Sequence, residues 1–364
     1  MMKYSIIVPV YNRPDEVDEL LQSLTEQTLK EMEVIIVEDG SSQPCESVVH
    51  KYAGKLQLRY YTKENSGPGP TRNFAAERSQ GEFLIFLDSD CVLPPNFLKE
   101  VDAELNRKEC DAWGGPDRAH ESFTTVQKAI SYSMTSFITT GGIRGGKKQM
   151  EKKFYPRSFN LGIRRSLFRQ LGGFSSMRFG EDIDLSLRIY KSGATCRLFP
   201  EAWVWHKRRT DFKKFFKQVH NSGIARINLM KRHPGSLKLV HLLPAVFSIG
   251  VFLCLLLFLA GLFFTGLGLY TGFFSPTGCN MGLIVAFIGA AIMLLALLPL
   301  LLFSALVFID SSIRNKSVKI GILSVWASFI QLIGYGTGFL RAWWLRCVCG
   351  RNEELQAFKD NFYK

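Results

Sequence analysis

Two aspartates spaced two residues apart directly follow an apolar run. The run spans residues 83–87, and Asp88 and Asp90 come at its end. A short, continuous apolar run of this kind predicts a strand that is buried on both faces. In an open α/β sheet, ligands bind just outside the carboxyl ends of the strands. Two carboxylates at this position can share one hard divalent cation, and such a cation can hold the phosphates of a nucleotide.

A second acidic pair, Glu181 and Asp182, lies where a glycine-containing loop enters a helical pattern. Acidic residues at a helix start are usually caps or partners of the helix dipole. A carboxylate that is held on a rigid helix start and faces a nucleotide site also suits a general base. The residues alone leave both interpretations open.

The elements that must position these acids follow an alternating pattern. Strand patterns are predicted at residues 4–10, 34–37, 56–61 and 83–87, and helical patterns at 17–24 and 71–79. Strands that alternate with helices predict right-handed crossovers and a largely parallel sheet. The expected fold class is therefore α/β, with a Rossmann-like, mostly parallel sheet.

Three loops of this predicted sheet fall at the same edge, namely residues 9–12, 38–40 and 88–90. Asp39 can accept hydrogen bonds from the N–H groups of a base, and Tyr11 can pack against the base. Taken alone, the Asp-Gly-Ser sequence at Asp39 is also ordinary turn chemistry. The convergence of three loops on one edge favours a nucleotide site.

Long apolar runs dominate the chain after the first 235 residues. They cover residues 239–270, 281–309 and 320–344, and each is long enough to cross about 30 Å of hydrocarbon as a helix. We expect a catalytic domain at 1–235, a transmembrane region of two to three spans at 236–350, and a short polar tail at 351–364. The formal net charge of +13 indicates an anionic partner. Basic residues beside membrane segments explain this charge more simply than nucleic acid, so membrane lipids are the expected partner and no nucleic acid is expected.

The third apolar run complicates the predicted topology. Basic residues before the first run favour a cytoplasmic catalytic domain. Three full spans would then leave Arg341, Arg346 and Arg351 on the opposite side. Either the third run is re-entrant or interfacial, or the first run holds a kinked pair of helices. We expect the tail to lie on the cytoplasmic side.

The motifs of the first 210 residues, taken together and in order, resemble the family 2 glycosyltransferases, which are inverting enzymes with the GT-A fold. The matching segments are residues 5–12, 37–42, 69–73, 86–90 and 180–185. Together with the apolar runs, they resemble the membrane-anchored bacterial type, which implies a multi-pass protein of the cell (inner) membrane that acts in polysaccharide or glycolipid synthesis.

The resemblance implies a role for each matching residue on the donor side. Pro9, Tyr11 and Asp39 would contact the nucleoside. Arg72 would contact the diphosphate or brace the carboxylates. Glu38 departs from the family pattern, which often has a second Asp there, and this leaves Asp39 as the safer assignment.

The remaining implied roles concern the metal and the acceptor. Asp88 would contact the ribose or the metal, and Asp90 would ligate Mg²⁺ or Mn²⁺. Asp182 would be the base that deprotonates the acceptor hydroxyl, and Glu181 would orient the acceptor or that base. His206 lies where related enzymes often place a histidine near the metal or the diphosphate, although a lone histidine is more often structural.

The implied activity is a metal-dependent, hexosyltransferase-type transfer from a nucleotide sugar, a UDP-sugar, to a lipid-linked acceptor such as a polyprenyl-linked sugar. The Q-x-x-R-W signature of processive members is missing after Gln218, which favours transfer of a single sugar. A processive polysaccharide synthase, a non-catalytic membrane scaffold and a nucleotidyltransferase are the alternatives. A segment rich in glycine and cations at residues 139–148 is a further candidate for anion binding, or an ordinary surface loop.

Overall fold

The computed structural model describes residues 2–118, 120, 123–141, 154–207, 209–274 and 281–355. A main sheet of seven strands and a small sheet of three form the first part of the chain. The main sheet consists of β1 (Tyr4–Val10), β2 (Met32–Asp39), β3 (Gln57–Lys63), β4 (Phe83–Leu87), β6 (Ala112–Gly114), β8 (Asn160–Arg164) and β9 (Cys196–Leu198). The small sheet consists of β5 (Cys91–Val92), β7 (Asp117–Arg118) and β10 (Val204–His206).

The main sheet has the strand order β3-β2-β1-β4-β8-β6-β9. Ile7 of β1 is paired in parallel with Ile35 of β2 and Phe86 of β4, and all three side chains are fully buried. Strand β8 pairs antiparallel with both of its neighbours, whereas the other pairs are parallel. The predicted α/β class with a mostly parallel sheet is confirmed, and the loops after β1, β2 and β4 meet at one edge.

The helices of the first part of the chain lie on both faces of this sheet, except the fifth, sixth and ninth, which pack against the C-terminal helices. They are α1 (Pro14–Thr25), α2 (Glu46–Tyr52), α3 (Pro68–Glu77), α4 (Phe97–Arg107), α5 (Thr125–Thr135), α6 (Phe137–Thr140), α7 (Arg165–Gln170), α8 (Glu181–Lys191) and α9 (Phe212–Arg232). Helix α3 begins at Pro68, three residues before the predicted start. The prediction was wrong there because Pro68 lies in the first turn, where its fixed φ and missing N–H are tolerated.

The C-terminal region contains α10 (Leu243–Phe274), α11 (Met281–Asn315) and α12 (Val318–Trp343), which continues as a π-helical turn, Trp344–Val348. By length and composition, all three could cross a membrane. Helices α10 and α11 pack closely in opposite directions: a Cβ on Gly268 would lie 2.3 Å from the Ala286 nitrogen, and one on Gly261 would lie 2.7 Å from the Gly289 oxygen. Because α10 is one continuous helix, the alternative of a kinked pair in the first apolar run is removed.

Helix α12 follows a different course from the α10–α11 pair. It meets that pair at residues 244–248 of α10 and 303–312 of α11, through contacts such as the 2.7 Å hydrogen bond between Ser311 and Ser324. It also lies beside α9 along much of its length, from Val219 against Gly334 to Asn228, which accepts a hydrogen bond from Arg346 at 2.7 Å. Helices α9 and α12 therefore run side by side in the same direction.

The close approach of α9 and α12 predicts the effect of a small substitution. A Cβ on Gly223 would lie 2.1 Å from the Tyr335 carbonyl oxygen, so Gly223→Ala must push the two helices apart. We expect a loss of about 1–3 kcal/mol of stability, because overpacked sites relax only by displacing backbone. The measurement is the thermal unfolding midpoint of the full chain in detergent micelles.

The matched control for this prediction is Gly250→Ala in α10, where an added Cβ meets nothing within 4 Å. Equal midpoints for the two variants would contradict the tight contact between α9 and α12.

Candidate active site

A cavity of about 890 Å³ opens at the edge of the sheet where the loops after β1, β2 and β4 meet. Every residue that the sequence assigned to the site lines it, although these residues come from distant parts of the chain. They are Pro9, Tyr11, Asp39, Arg72, Asp88, Asp90, Glu181, Asp182 and His206. The two acidic groups, one formed by Asp88 and Asp90 and the other by Glu181 and Asp182, therefore border the same cavity.

Arg72 joins the two acidic groups. Its guanidinium is 3% exposed and donates to Asp88 at 2.7 Å and to Glu181 at 3.1 Å. Phe174 lies beneath it, with 5.4 Å between the guanidinium carbon and the ring centre. Of the two roles expected for Arg72, the bracing of carboxylates is the one that these contacts display.

Glu181 is a buried carboxyl group in an environment that disfavours its charge. Burial, together with the negative charge of Asp182, raises the pKa of Glu181 to about 7, and the positive charge of Arg72 only partly opposes this rise. Near neutral pH, Glu181 is therefore present in both its protonated and its ionised form. Asp182 is next to it in the first turn of α8.

Asp182 keeps one side of its carboxylate toward the cavity. Its Oδ1 accepts the backbone N–H of Ile183 at 2.8 Å, and its Oδ2 lies 3.6 Å from Nη1 of Arg157. The helix that carries it is anchored through buried Asp184, which lies 2.8 Å from His233, the residue after α9, and 2.8 Å from Arg188. Gly180, just before this helix, has φ of +84°, a conformation that favours glycine.

Asp90 lies in a cluster of side chains that could bind a divalent metal. Its Oδ2 accepts a 2.8 Å hydrogen bond from Arg13, and its Oδ1 lies 3.1 Å from His206 Nε2 without hydrogen-bond alignment. Burial opposes the charge of Asp90, but His206 and Arg13 outweigh it and hold the pKa of this carboxyl well below its usual range. Asp88 lies 3.8 Å from the same ring. Two carboxylates and an imidazole fit Mg²⁺ or Mn²⁺.

Cys91 lies within reach of the same cluster but does not suit a ligand. Burial and the charges of Asp90 and Asp88 raise the pKa of its thiol well above the usual range. Mg²⁺ and Mn²⁺ prefer oxygen ligands to the softer sulfur of cysteine, so Cys91 is the poorest match for either ion in this cluster. Asp90, Asp88 and His206 remain the fitting set.

Both acids at the end of β2 are bound by other groups of the protein. Asp39 accepts from Lys63 at 2.8 Å and from the backbone N–H groups of Ser66 and Gly67 at 2.9 and 2.8 Å. Glu38 accepts the backbone N–H of Cys45 at 2.6 Å. Glu38 therefore orders the loop before α2, whereas Asp39 orders the loop before α3 and also borders the cavity.

Sequence reasoning missed two cations of this site. Arg13 follows the first motif by one residue, and Arg157 precedes β8 without any pattern to mark it; they contact Asp90 and Asp182. Of the segment rich in glycine and cations, Thr139, Thr140 and Gly141 line the cavity, and residues 142–148 lie outside the described residues.

Comparison with known proteins relates the first part of this chain to glycosyltransferases. Residues 5–172 match the family model described as glycosyl transferase family 2. The poly(ribitol-phosphate) beta-N-acetylglucosaminyltransferase TarS of Staphylococcus aureus is 39% identical over 115 residues, which are 30% of this chain and 20% of TarS. An uncharacterized glycosyltransferase of Haemophilus influenzae is 33% identical over 193 residues, which are 51% of this chain and 61% of that protein. The chain thus covers less than two thirds of either relative.

A solved structure supports the fold over nearly the whole chain. The mannosyltransferase PcManGT of Pyrobaculum calidifontis, in complex with GDP-Man and Mn²⁺, has a TM-score of 0.53 at 16% identity, covering 93% of this chain and 87% of that one. At this identity the likeness concerns the fold, and it agrees with a GT-A domain followed by helices.

The buried position of Glu181 predicts a pH dependence of stability. Its pKa of about 7 in the folded chain exceeds the ordinary value of 4.5, so the folded state holds this proton more tightly than the unfolded state. Stability from this group is present at low pH and is lost as pH rises from about 5 to above 7. Between pH 5 and pH 8, we expect this group to lower the free energy of unfolding of the parent chain by on the order of 1–3 kcal/mol. In Glu181→Gln, this decrease should be absent.

Chemical unfolding in EDTA-containing buffer at both pH values measures this difference. The exposed Glu64→Gln variant removes the same charge and should keep the pH dependence of the parent. A Glu181→Gln chain with the parent's full pH dependence would rule out Glu181 as the titrating group.

Proposed function

We propose that this chain, whose residues 5–172 form a glycosyl transferase family 2 domain, transfers a single sugar with inversion from a UDP-sugar to a membrane-associated, polyprenyl-linked acceptor. The observation that carries the proposal is the Arg72 bridge between Asp88 and Glu181. It brings the strand-end acids and the start of α8 to one cavity, which also extends to the first residues of α10.

On the donor side, Pro9, Tyr11 and Asp39 would hold the nucleoside, and Arg72 would face the diphosphate. Asp90, Asp88 and His206 would hold Mg²⁺ or Mn²⁺. When bound, such an ion supplies positive charge that stabilises the departing diphosphate. Arg72 and Arg13 offer further positive charge at the same place.

On the acceptor side, Asp182 would take the proton from the attacking hydroxyl. The hydroxyl oxygen forms the new bond to the anomeric carbon as the bond to the diphosphate oxygen breaks on the opposite face, which inverts that carbon. Glu181 is braced by Arg72 and would orient the acceptor beside Asp182. A positioned base of this kind contributes about 10²–10⁴-fold to the rate.

In the membrane, α10 and α11 would be the two spans, and α12 would lie at the cytoplasmic surface. The support is its position beside α9, which carries Lys213, Lys214 and Lys217. Charged side chains are costly in hydrocarbon, so α9 and the helix beside it belong outside the bilayer core. Arg341 and Arg346 then lie on the same side as the catalytic domain, as the positive-inside tendency requires.

The role of Asp182 is tested by Asp182→Asn, which removes the base and keeps the shape. We expect transfer to fall by about 10²–10⁴-fold, because only the proton acceptor is lost. Binding of UDP with Mn²⁺ should remain at the parent's level, since the donor contacts are untouched. The measurement is transfer of a radiolabelled sugar to membrane lipids, and the length of the product separates single transfer from a processive synthase.

Unchanged transfer by Asp182→Asn would refute the base assignment, and equal loss of transfer and UDP binding would mean that Asp182 is structural. Mass spectrometry of lipid-linked glycans from cells with and without this protein identifies the sugar and the acceptor.

The metal role is tested by Asp90→Ala. We expect Mn²⁺-dependent UDP binding to weaken by about 10–100-fold or more, since a ligand to the ion is removed. Calorimetric titration of UDP with Mn²⁺, and again with EDTA, measures the metal-dependent part. The exposed Asp15→Ala variant is the matched control. Binding that stays equally metal-dependent in Asp90→Ala would exclude this residue as a ligand.

A further inference from the structure

The cavity continues past Asp182 toward the membrane helices. Its lining includes Arg157, Arg226 and His241 as well as Asp182. Arg157 links the two regions, because its Nη1 lies 3.6 Å from Asp182 Oδ2 and its charge also acts on the His241 ring. This second region is therefore next to the group that we propose as the base.

Helix α9 brings Arg226 to this position. Ala225, its neighbour, packs against the loop before α8, since a Cβ on Gly180 would lie 3.4 Å from the Ala225 Cβ. Arg226 is half-buried and forms no ion pair with any residue in the described ranges. A cation held at a cavity wall without an acidic partner favours an anionic ligand.

His241 lies on the same wall. Its Nδ1 accepts the backbone N–H of Lys238 at 3.1 Å, so the neutral ring carries its proton on Nε2. The charges of Arg226, Lys238 and Arg157 all act on this ring. Positive charge and hydrogen-bond donors are therefore concentrated where the catalytic domain meets α10.

The part of the lining that the C-terminal helices contribute is largely apolar, although Gln331 and Tyr335 also border it. It includes Leu243, Pro244 and Phe247 of α10, Phe303 of α11 and Leu332 of α12. A ligand that fills both parts has an anionic group followed by a hydrocarbon chain. Two guanidinium groups suit the oxygens of a phosphate, which they can bind in a bidentate manner.

We propose that Arg226, Arg157 and His241 form a subsite for the phosphate group of the acceptor lipid, whose chain leaves the cavity between α10 and α12. This proposal rests on the proposed transferase function and adds the chemistry by which the acceptor is recognised. The phosphate on the subsite would hold the attached sugar beside Asp182, on the acceptor side of the Arg72 bridge.

The test uses the full chain in detergent micelles with EDTA present, which prevents metal-mediated binding at Asp90. The probes are farnesyl phosphate, farnesol, inorganic phosphate and phosphatidylglycerol, and calorimetric titration gives each Kd. We expect the parent chain to bind farnesyl phosphate more tightly than the other three probes. Arg226→Gln should weaken farnesyl phosphate binding about tenfold or more, because a charge-assisted contact is lost.

Lys231→Gln is the matched control, because Lys231 lies exposed on the same helix and loses the same charge; its Kd for farnesyl phosphate should stay within about twofold of the parent's. Both variants should bind UDP with Mn²⁺ as the parent does, which shows that they are folded. Equal binding of farnesyl phosphate by Arg226→Gln and the parent would overturn the proposal.

Other outcomes also overturn the acceptor assignment. If farnesol binds as tightly as farnesyl phosphate, the phosphate group is not recognised. If inorganic phosphate binds as tightly, the hydrocarbon chain of the lipid is not recognised. Equal affinity for phosphatidylglycerol, with the same dependence on Arg226, indicates a site for bulk lipid. Because these titrations need no turnover, a chain that binds farnesyl phosphate through Arg226 but transfers no sugar would refute the transferase and keep the subsite.

Discussion

The buried guanidinium of Arg72 is the constraint on which the site depends. It lies between Asp88, at the end of a central strand, and Glu181, at the start of α8, and it is almost fully shielded from water. Without it, the negative charges of Asp88, Glu181 and Asp182 would repel one another without compensation. The cation therefore compensates the charge and also joins the strand-end acids to the start of α8.

Helix α9 connects this site to the membrane region. It packs against Gly180 on one side and meets α12 through glycine contacts on the other. His233 at its end also holds Asp184 of α8. The helix that carries Asp182 is thus supported by an element whose position is set by α12. Geometry at the site and the packing of the C-terminal helices are therefore parts of one connected structure.

The strand-end half of the site was predictable from the sequence for a physical reason. Strands β1, β2 and β4 are apolar runs buried on both faces, so they must be central, and their carboxyl ends must meet at one edge. The acids at those ends needed no further information to be brought together.

The other half depends on tertiary contacts that leave no local pattern. Arg13 and Arg157 are single cations in loops, and their partners are far away in the chain. The composition of α12 is typical of a membrane span. Its position beside α9 depends on close contacts between glycines of one helix and the other helix, which the number of apolar residues does not indicate.

The length of α10 and α11 has a consequence for the proposed membrane arrangement. With 32 and 35 residues, at about 1.5 Å per residue, each is considerably longer than the roughly 30 Å of hydrocarbon that a span needs to cross. In that arrangement, the residues of these helices beyond the hydrocarbon would hold the cavity at the level of the lipid headgroups. An amphiphile could then keep its hydrocarbon tail among the lipids of the bilayer and present only its polar head group to the cavity.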